Sequence, residues 1–139
     1  MPKLKWLPAG AGAAGAALSA WFGGWSLALQ TLCLFMAVDY ITGLLVAGVF
    51  GNSQKSPGGR LESRAGWKGL CRKGATLLVV LVAARLDAVL DVSFVRDGVI
   101  TAYLCNELIS ITENAGLMGV SLPSPISRAL EALREEAKR

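Results

Sequence analysis

The sequence predicts an all-α integral membrane protein with three to four transmembrane helices and a C-terminal cytoplasmic amphipathic helix. Composition comes first: of 139 residues, 53% are hydrophobic and 17% charged, with mean hydropathy +0.49, against about 25% charged in soluble domains. The placement of charge comes second. No Asp, Glu, Lys or Arg stands between Lys5 and Asp39, or between Lys73 and Arg85, and such windows approach the ~20 apolar residues that cross a bilayer. Third, the cations gather in short segments between the apolar runs, the pattern of cytoplasmic loops. The length suits one domain, 1–139.

Lys3 and Lys5 followed by small apolar residues imitate a signal peptide. A cleavable signal leads into a polar mature chain, whereas here further apolar runs follow, so residues 8–24 are expected to be a retained membrane segment. That segment is dominated by Gly and Ala, weak helix formers in water on the Gly side but suited to close helix approach in lipid. The candidate packing positions are Gly12, Ala16 and Ala20, at small-xxx-small spacing. Trp21 and Trp25 flank Gly23-Gly24, as for a turn at an interface with aromatic anchors. The segment is short for a full span, and a re-entrant arm or an interfacial helix fits it as well. Met36 lies inside the next span, so a second translation start is not expected there.

Residues 25–50 form a stronger span, interrupted by Gln30 and Asp39. Residues 51–73 read as a basic cytoplasmic loop, with Gly, Pro, Ser and Asn at its start and Lys55, Arg60, Arg64, Lys68, Arg72 and Lys73 against Glu62. Its later half, from Leu61, can lie as a basic amphipathic helix on anionic headgroups, with Trp67, Lys68, Arg72 and Lys73 as candidate membrane-surface residues. Residues 74–92 are the third span and Asp91-Val92-Ser93 its turn. Residues 96–116 are the fourth. Gly116, Gly119, Pro123 and Pro125 then break the chain, and Ser124 as N-cap with Pro125 at N1 opens the tail helix, 125–138. There Ile126, Ala129, Leu130, Leu133 and Ala137 make a one-sided apolar stripe. Four spans with both termini inside place every basic segment in the cytoplasm; three spans with the N-terminus outside is the alternative.

Two polar features interrupt the apolar runs. Asp39 sits deep in the second span, where a carboxylate costs about 2.5–3.5 kcal/mol on insertion scales and is rarely left facing lipid. It is protonated and hydrogen-bonded, paired with a basic or amide group on another helix, or wetted in an assembly. Thr42 and Gly43 beside it offer a hydroxyl and close backbone approach. In the fourth span, Asn106, Glu107, Ser110, Glu113 and Asn114 fall within an arc of roughly 120° on a helix, with Leu104, Leu108, Ile111 and Ala115 opposite. Asp39 and those five residues are the candidate oligomer or pore face, and Gly43 is a further packing position.

Enzymatic chemistry finds no support. The chain has no His, so no Ser–His or Cys–His pair exists. Ser56-Pro57-Gly58-Gly59 lacks the strand before it and the Lys-Ser/Thr after it that a phosphate loop requires. Cys33, Cys71 and Cys105 are odd in number and scattered, as small packing residues are. No metal or cofactor is called for, and topology explains the positive charge without nucleic acid.

Three blocks carry a resemblance: Asp39-Tyr40-Ile41-Thr42-Gly43-Leu44-Leu45, then Ser63 to Lys73 (SRAGWKGLCRK), then Asn106 to Gly116 (NELISITENAG). Together, over roughly residues 30–135, they resemble the bacteriophage holin family of the toxin-secretion and phage-lysis type. The resemblance implies a non-enzymatic protein that accumulates in the bacterial cytoplasmic membrane as a homo-oligomer. At a set time such proteins open lesions that release an endolysin to the cell wall, causing host cell lysis, or let toxins out. It transfers no catalytic residues. The residues alone also allow a small cation transporter, against which residues 8–24 supply no binding carboxylate, or a structural or regulatory membrane subunit.

Overall fold

Five α-helices follow one another in the computed structural model, which describes residues 5–139: α1 (Trp6–Trp21), α2 (Leu27–Gly48), α3 (Ser63–Leu90), α4 (Val95–Leu117) and α5 (Ser124–Ala137). A single 3-10 turn, Pro57–Gly59, interrupts the loop before α3, and no strand occurs among the described residues. Lys3 lies outside them.

α2, α3 and α4 form the packed part. On α2 the inward residues are Leu29, Leu32, Met36, Asp39, Gly43 and Val46, at steps of three and four. On α4 they are Ile100, Leu104, Glu107, Ile111 and Asn114, at the same steps. On α3, Gly66, Gly69, Lys73, Thr76, Val80 and Ala83 repeat the pattern. Alternating three-four spacing keeps one narrow seam facing a neighbour. α2 and α4 run parallel, since the turn before α2 bonds to Arg96 at one end and Asn52 donates to the Leu117 carbonyl at the other. α3 runs against both, with Lys73 beside Asp39 and Tyr40 bonded to Gly66.

The seams are apolar at one end and polar at the other. Leu29, Leu32, Met36, Val80, Ile100 and Leu104 make the apolar cluster near the starts of α2 and α4. Asp39, Lys73, Glu107 and Asn114 occupy the half nearer the loop.

The turns are held by specific groups. Gly23, at φ +77°, and Gly24 turn the chain between α1 and α2, as expected. The Arg96 guanidinium donates to the carbonyls of Phe22 (2.7 Å) and Gly24 (3.0 Å), and a Cβ on Gly23 would stand 3.2 Å from its Nη1. Ser26 caps α2 by accepting from Leu29 N–H. Asp91 ends α3 in the left-handed region, at φ +54°, where Asp is tolerated. The Asp87 carboxylate accepts the N–H groups of Val95 and Arg96 at 2.9 and 3.0 Å, serving as the cap of α4 from the preceding helix.

Three expectations are corrected. Residues 51–73 are not all loop: α3 starts at Ser63 and continues unbroken for 28 residues. Gly66 and Gly69 lower helix propensity, but they let α3 pass over the Tyr40 ring, whose hydroxyl donates to Gly66 O (3.3 Å), and this packing prevails. The helix expected from Leu61 is present from Ser63, as the first turns of α3 rather than as a separate surface helix. The tail helix begins at Ser124, after Pro123, and Ser124 makes no side-chain cap bond. α5 also lies against α4, with Leu130 and Leu133 half-buried.

α1 differs from the rest. None of its residues is buried, and it touches α3.

Candidate functional site

The polar half of the seam centres on Lys73. Its ammonium donates to Asp39 Oδ2 at 2.6 Å and to Glu107 Oε2 at 2.9 Å, joining one residue from each of α3, α2 and α4. Asn114, one turn pair beyond Glu107 on α4, donates from Nδ2 to Asp39 Oδ1 (3.0 Å), to Asp39 O (3.2 Å) and to Thr42 Oγ1 (2.9 Å). Thr42 spends its own proton on Val38 O, which leaves a lone pair for Asn114. Asp39, Glu107 and Asn114 are 5%, 6% and 6% exposed. No buried side-chain nitrogen or oxygen among the described residues lacks a partner, as burial of polar groups demands.

Two carboxylates thus share one ammonium with little exposure of any of the three. Opposite charges at these distances attract strongly in a medium of low polarity, and desolvation opposes them. Such a cluster contributes little net stability but strongly penalises removal of one member, because the rest is stranded. Gly43 permits it: a Cβ there would lie 3.8 Å from Asn114 Nδ2, so a longer side chain would displace the amide.

An open cavity of about 570 Å³ reaches this cluster from the loop. Tyr40, Tyr103, Asn106 and Ser110 line it together with Asp39, Lys73 and Glu107. Residues of the loop, among them Lys55 and Arg60, and of the first turns of α3 line it as well.

The polar arc of α4 is divided rather than presented whole. Glu107 and Asn114, at its edge nearest Leu104 and Ile111, turn into the seam. Asn106 and Ser110 line the cavity, and Asn106 and Glu113 are exposed. Among the positions read as packing sites, Gly43 meets Asn114 across helices, while Gly12, Ala16 and Ala20 face open space in the single chain. Trp67, Lys68 and Arg72 are exposed, whereas Lys73 turns inward instead of standing at the surface with them. Cys33, Cys71 and Cys105 are free.

Sequence reasoning placed Lys73 at the membrane surface rather than among the carboxylates, and missed the roles of Arg96 and Asp87. Lys73 carried a signal: it stands seven residues before Val80, two helical turns, and so on the same face once the helix is extended back through Gly66. The bonds of Arg96 and Asp87 depend on how the helix ends meet and leave no periodic trace.

Known proteins match over nearly the whole chain. A 142-residue alignment with an uncharacterized protein of Halalkalibacterium halodurans is 35% identical and covers 98% of this chain and 97% of that one. A 14.9 kDa protein encoded beside nagH in Clostridium perfringens is 37% identical over 83% of each chain. A protein named probable holin, from Bacillus phage phi105, is 32% identical over 78% of this chain and 75% of its own. No solved structure matches. The family model of the bacteriophage holin family matches residues 16–135, which takes in α2, α3, α4 and nearly all of α5. With the three quoted blocks, the polar seam they build and this match in agreement, the chain belongs to the bacteriophage holin family.

Proposed function

We propose that this chain inserts in the bacterial cytoplasmic membrane, assembles with copies of itself and opens lesions through which an endolysin, or a toxin, leaves the cell. The family is not one of enzymes. The observation that carries the reading is the placement of the ion cluster: polar groups inside, apolar groups outside. Leu34, Val38, Ile41 and Leu45 on α2, and Leu78, Val82, Leu86 and Val89 on α3, are all exposed. Soluble monomers rarely expose apolar patches beyond a few hundred Å², so lipid or a second copy is the natural cover.

α2, of 22 residues, is by itself long and apolar enough to cross a bilayer. α3 and α4, interrupted by the ion cluster and end charges, cross beside it in this reading. The 28 residues of α3 span about 42 Å, more than the ~30 Å hydrocarbon core, so its first turns stand at headgroup level. The basic loop and α5 are then cytoplasmic. α1, uncovered and rich in Gly and Ala, is the surface offered to lipid or to neighbouring copies through Gly12, Ala16 and Ala20. Exchange of the intramolecular contacts of Asp39, Glu107 and Asn114 for water or for other copies would turn a resting bundle into part of a lesion wall.

The test is induced expression in bacteria with a potential-sensitive dye, with and without a co-expressed endolysin. Abrupt, delayed loss of membrane potential is expected, with lysis only when the endolysin is present. Asp39→Asn and Glu107→Gln should shift the delay and the oligomer size. Gradual proton-coupled uptake in vesicles, or unaltered timing and oligomer size in both variants, would overturn the proposal.

A further inference from the structure

α5 doubles back along α4. Cys105 stands near the middle of α4, two residues before Glu107 and therefore on the other side of that helix from the ion cluster. It is nonetheless 6% exposed, so a neighbour other than the seam partners covers it. That neighbour is α5, which lies against α4 with Leu130 and Leu133 half-buried and Arg134 within electrostatic reach of the Cys105 sulfur. The lengths agree. At about 1.5 Å per residue, Leu117 to Cys105 covers about 18 Å of α4, and Ser124 to Arg134 about 15 Å of α5.

In water this packing is favourable, because it removes the leucines of α5 and the middle of α4 from solvent while Arg128, Glu131 and Glu135 stay exposed. In a bilayer it is not. With α4 crossing the membrane, α5 in this position would carry Glu131 and Arg134 to hydrocarbon depth, and neither forms an ion pair among the described residues. Leu130 and Leu133 no longer hold it there, since acyl chains cover α4 as well as they do. We propose that α5 is a releasable strap, which masks the Cys105 side of α4 before insertion and lifts to the cytoplasmic membrane surface when α4 crosses. The strap rests on the membrane reading above. Once lifted, Ile126, Leu130 and Leu133 meet the headgroup boundary as the apolar face of a surface helix, with Arg128, Arg134 and Lys138 toward anionic headgroups. Contacts between copies through the Cys105 side of α4 therefore follow insertion and cannot precede it.

Cys33→Ser, Cys71→Ser and Arg134→Cys together leave Cys105 and the introduced thiol as the reactive pair. The full chain is synthesised cell-free and treated with a short bismaleimide before or after vesicles of phosphatidylglycerol and phosphatidylcholine are added. Gel mobility reads the intramolecular cross-link, and resistance to alkaline extraction reads insertion. Before lipid is added, the two thiols should be joined in most chains. After insertion the yield should fall about tenfold or more, as the effective concentration of the second thiol drops. The joined chain should stay extractable by alkali, whereas N-ethylmaleimide, which caps both thiols without linking them, should leave insertion intact. Glu135→Cys in place of Arg134→Cys, on the outward side of α5, should give far less cross-link without lipid. Equal yields before and after insertion, no cross-link before it, or full insertion of the joined chain would overturn the strap and leave the membrane reading standing. A capped chain that never resists extraction overturns the membrane reading, and the strap falls with it.

Discussion

Lys73 and Asp39 lie 34 positions apart, on helices that run in opposite directions, and meet at 2.6 Å. Neither is at the surface: their side chains are 16% and 7% exposed. The pair fixes the register of α3 against α2, and Glu107, at 2.9 Å from the same ammonium, fixes α4 against both. Removal of the shared member is the harshest change. Lys73→Met leaves two buried carboxylates facing each other and should cost about 3–5 kcal/mol. Thermal unfolding in detergent micelles measures it, and adding Asp39→Asn and Glu107→Gln to Lys73→Met should restore much of the loss.

The two carboxylates are not equivalent. Asp39 uses both oxygens, one on Lys73 and one on Asn114, while Glu107 has Lys73 alone among its side-chain partners. Asp39→Asn puts an amide where Asn114 already donates, so it should destabilise by about 1–3 kcal/mol more than Glu107→Gln, whose amide oxygen still accepts from Lys73. Unfolding midpoints of the two variants give the order, and equal midpoints would contradict it.

Gly43 sets a size limit. A single methyl fits at ordinary contact distance from Asn114, 3.8 Å, so Gly43→Ala should change stability by less than about 1 kcal/mol, the helix gain offsetting the contact. Gly43→Leu should cost about 1–3 kcal/mol by overpacking. It should also free the Asn114 amide, visible as a shifted side-chain resonance. In an Asn114→Ala background, which vacates that space, Gly43→Leu should cost less than in the parent.

Arg96 ties the α1–α2 turn to α4 through Phe22 and Gly24. Arg96→Ala removes two charge-assisted bonds, each worth about 1.5–3 kcal/mol, and should make residues 22–25 the first site of limited proteolysis. Asp87→Ala, which uncaps Val95 and Arg96 N–H, should add about 1 kcal/mol of loss. Because the two groups hold neighbouring turns, their effects should not be additive.

The helices were legible where burial leaves a rhythm. The ends of α2 and α4 and the turns at Gly23-Gly24 and Asp91 follow from apolar runs and punctuating residues. A helix from about Leu61 was legible, but not its continuity with the third span, because Gly66, Gly69 and six cations from Lys55 to Lys73 are what a loop or a surface helix also contains. Both glycines pack against the Tyr40 ring, a contact that no local window holds. Asp39, Glu107 and Asn114 stood out as polar residues in apolar runs. Their partner did not, because a lysine at the edge of a basic segment is ordinary in sequence and unusual only in space.

The division of the seam into an oily end and an ionic end means that its strong point depends on the surrounding solvent. In water, Leu32, Val80 and Ile100 resist separation, because parting them exposes hydrocarbon to a poor solvent, while Lys73 and its carboxylates can be rehydrated. In lipid the order reverses. Acyl chains can replace the leucine and isoleucine contacts at little cost, whereas nothing in the bilayer can replace the partners of Asp39 and Glu107. The clasp of this bundle therefore migrates along its axis when the medium changes, and admission of water to one end loosens the bond that lipid had made the tightest.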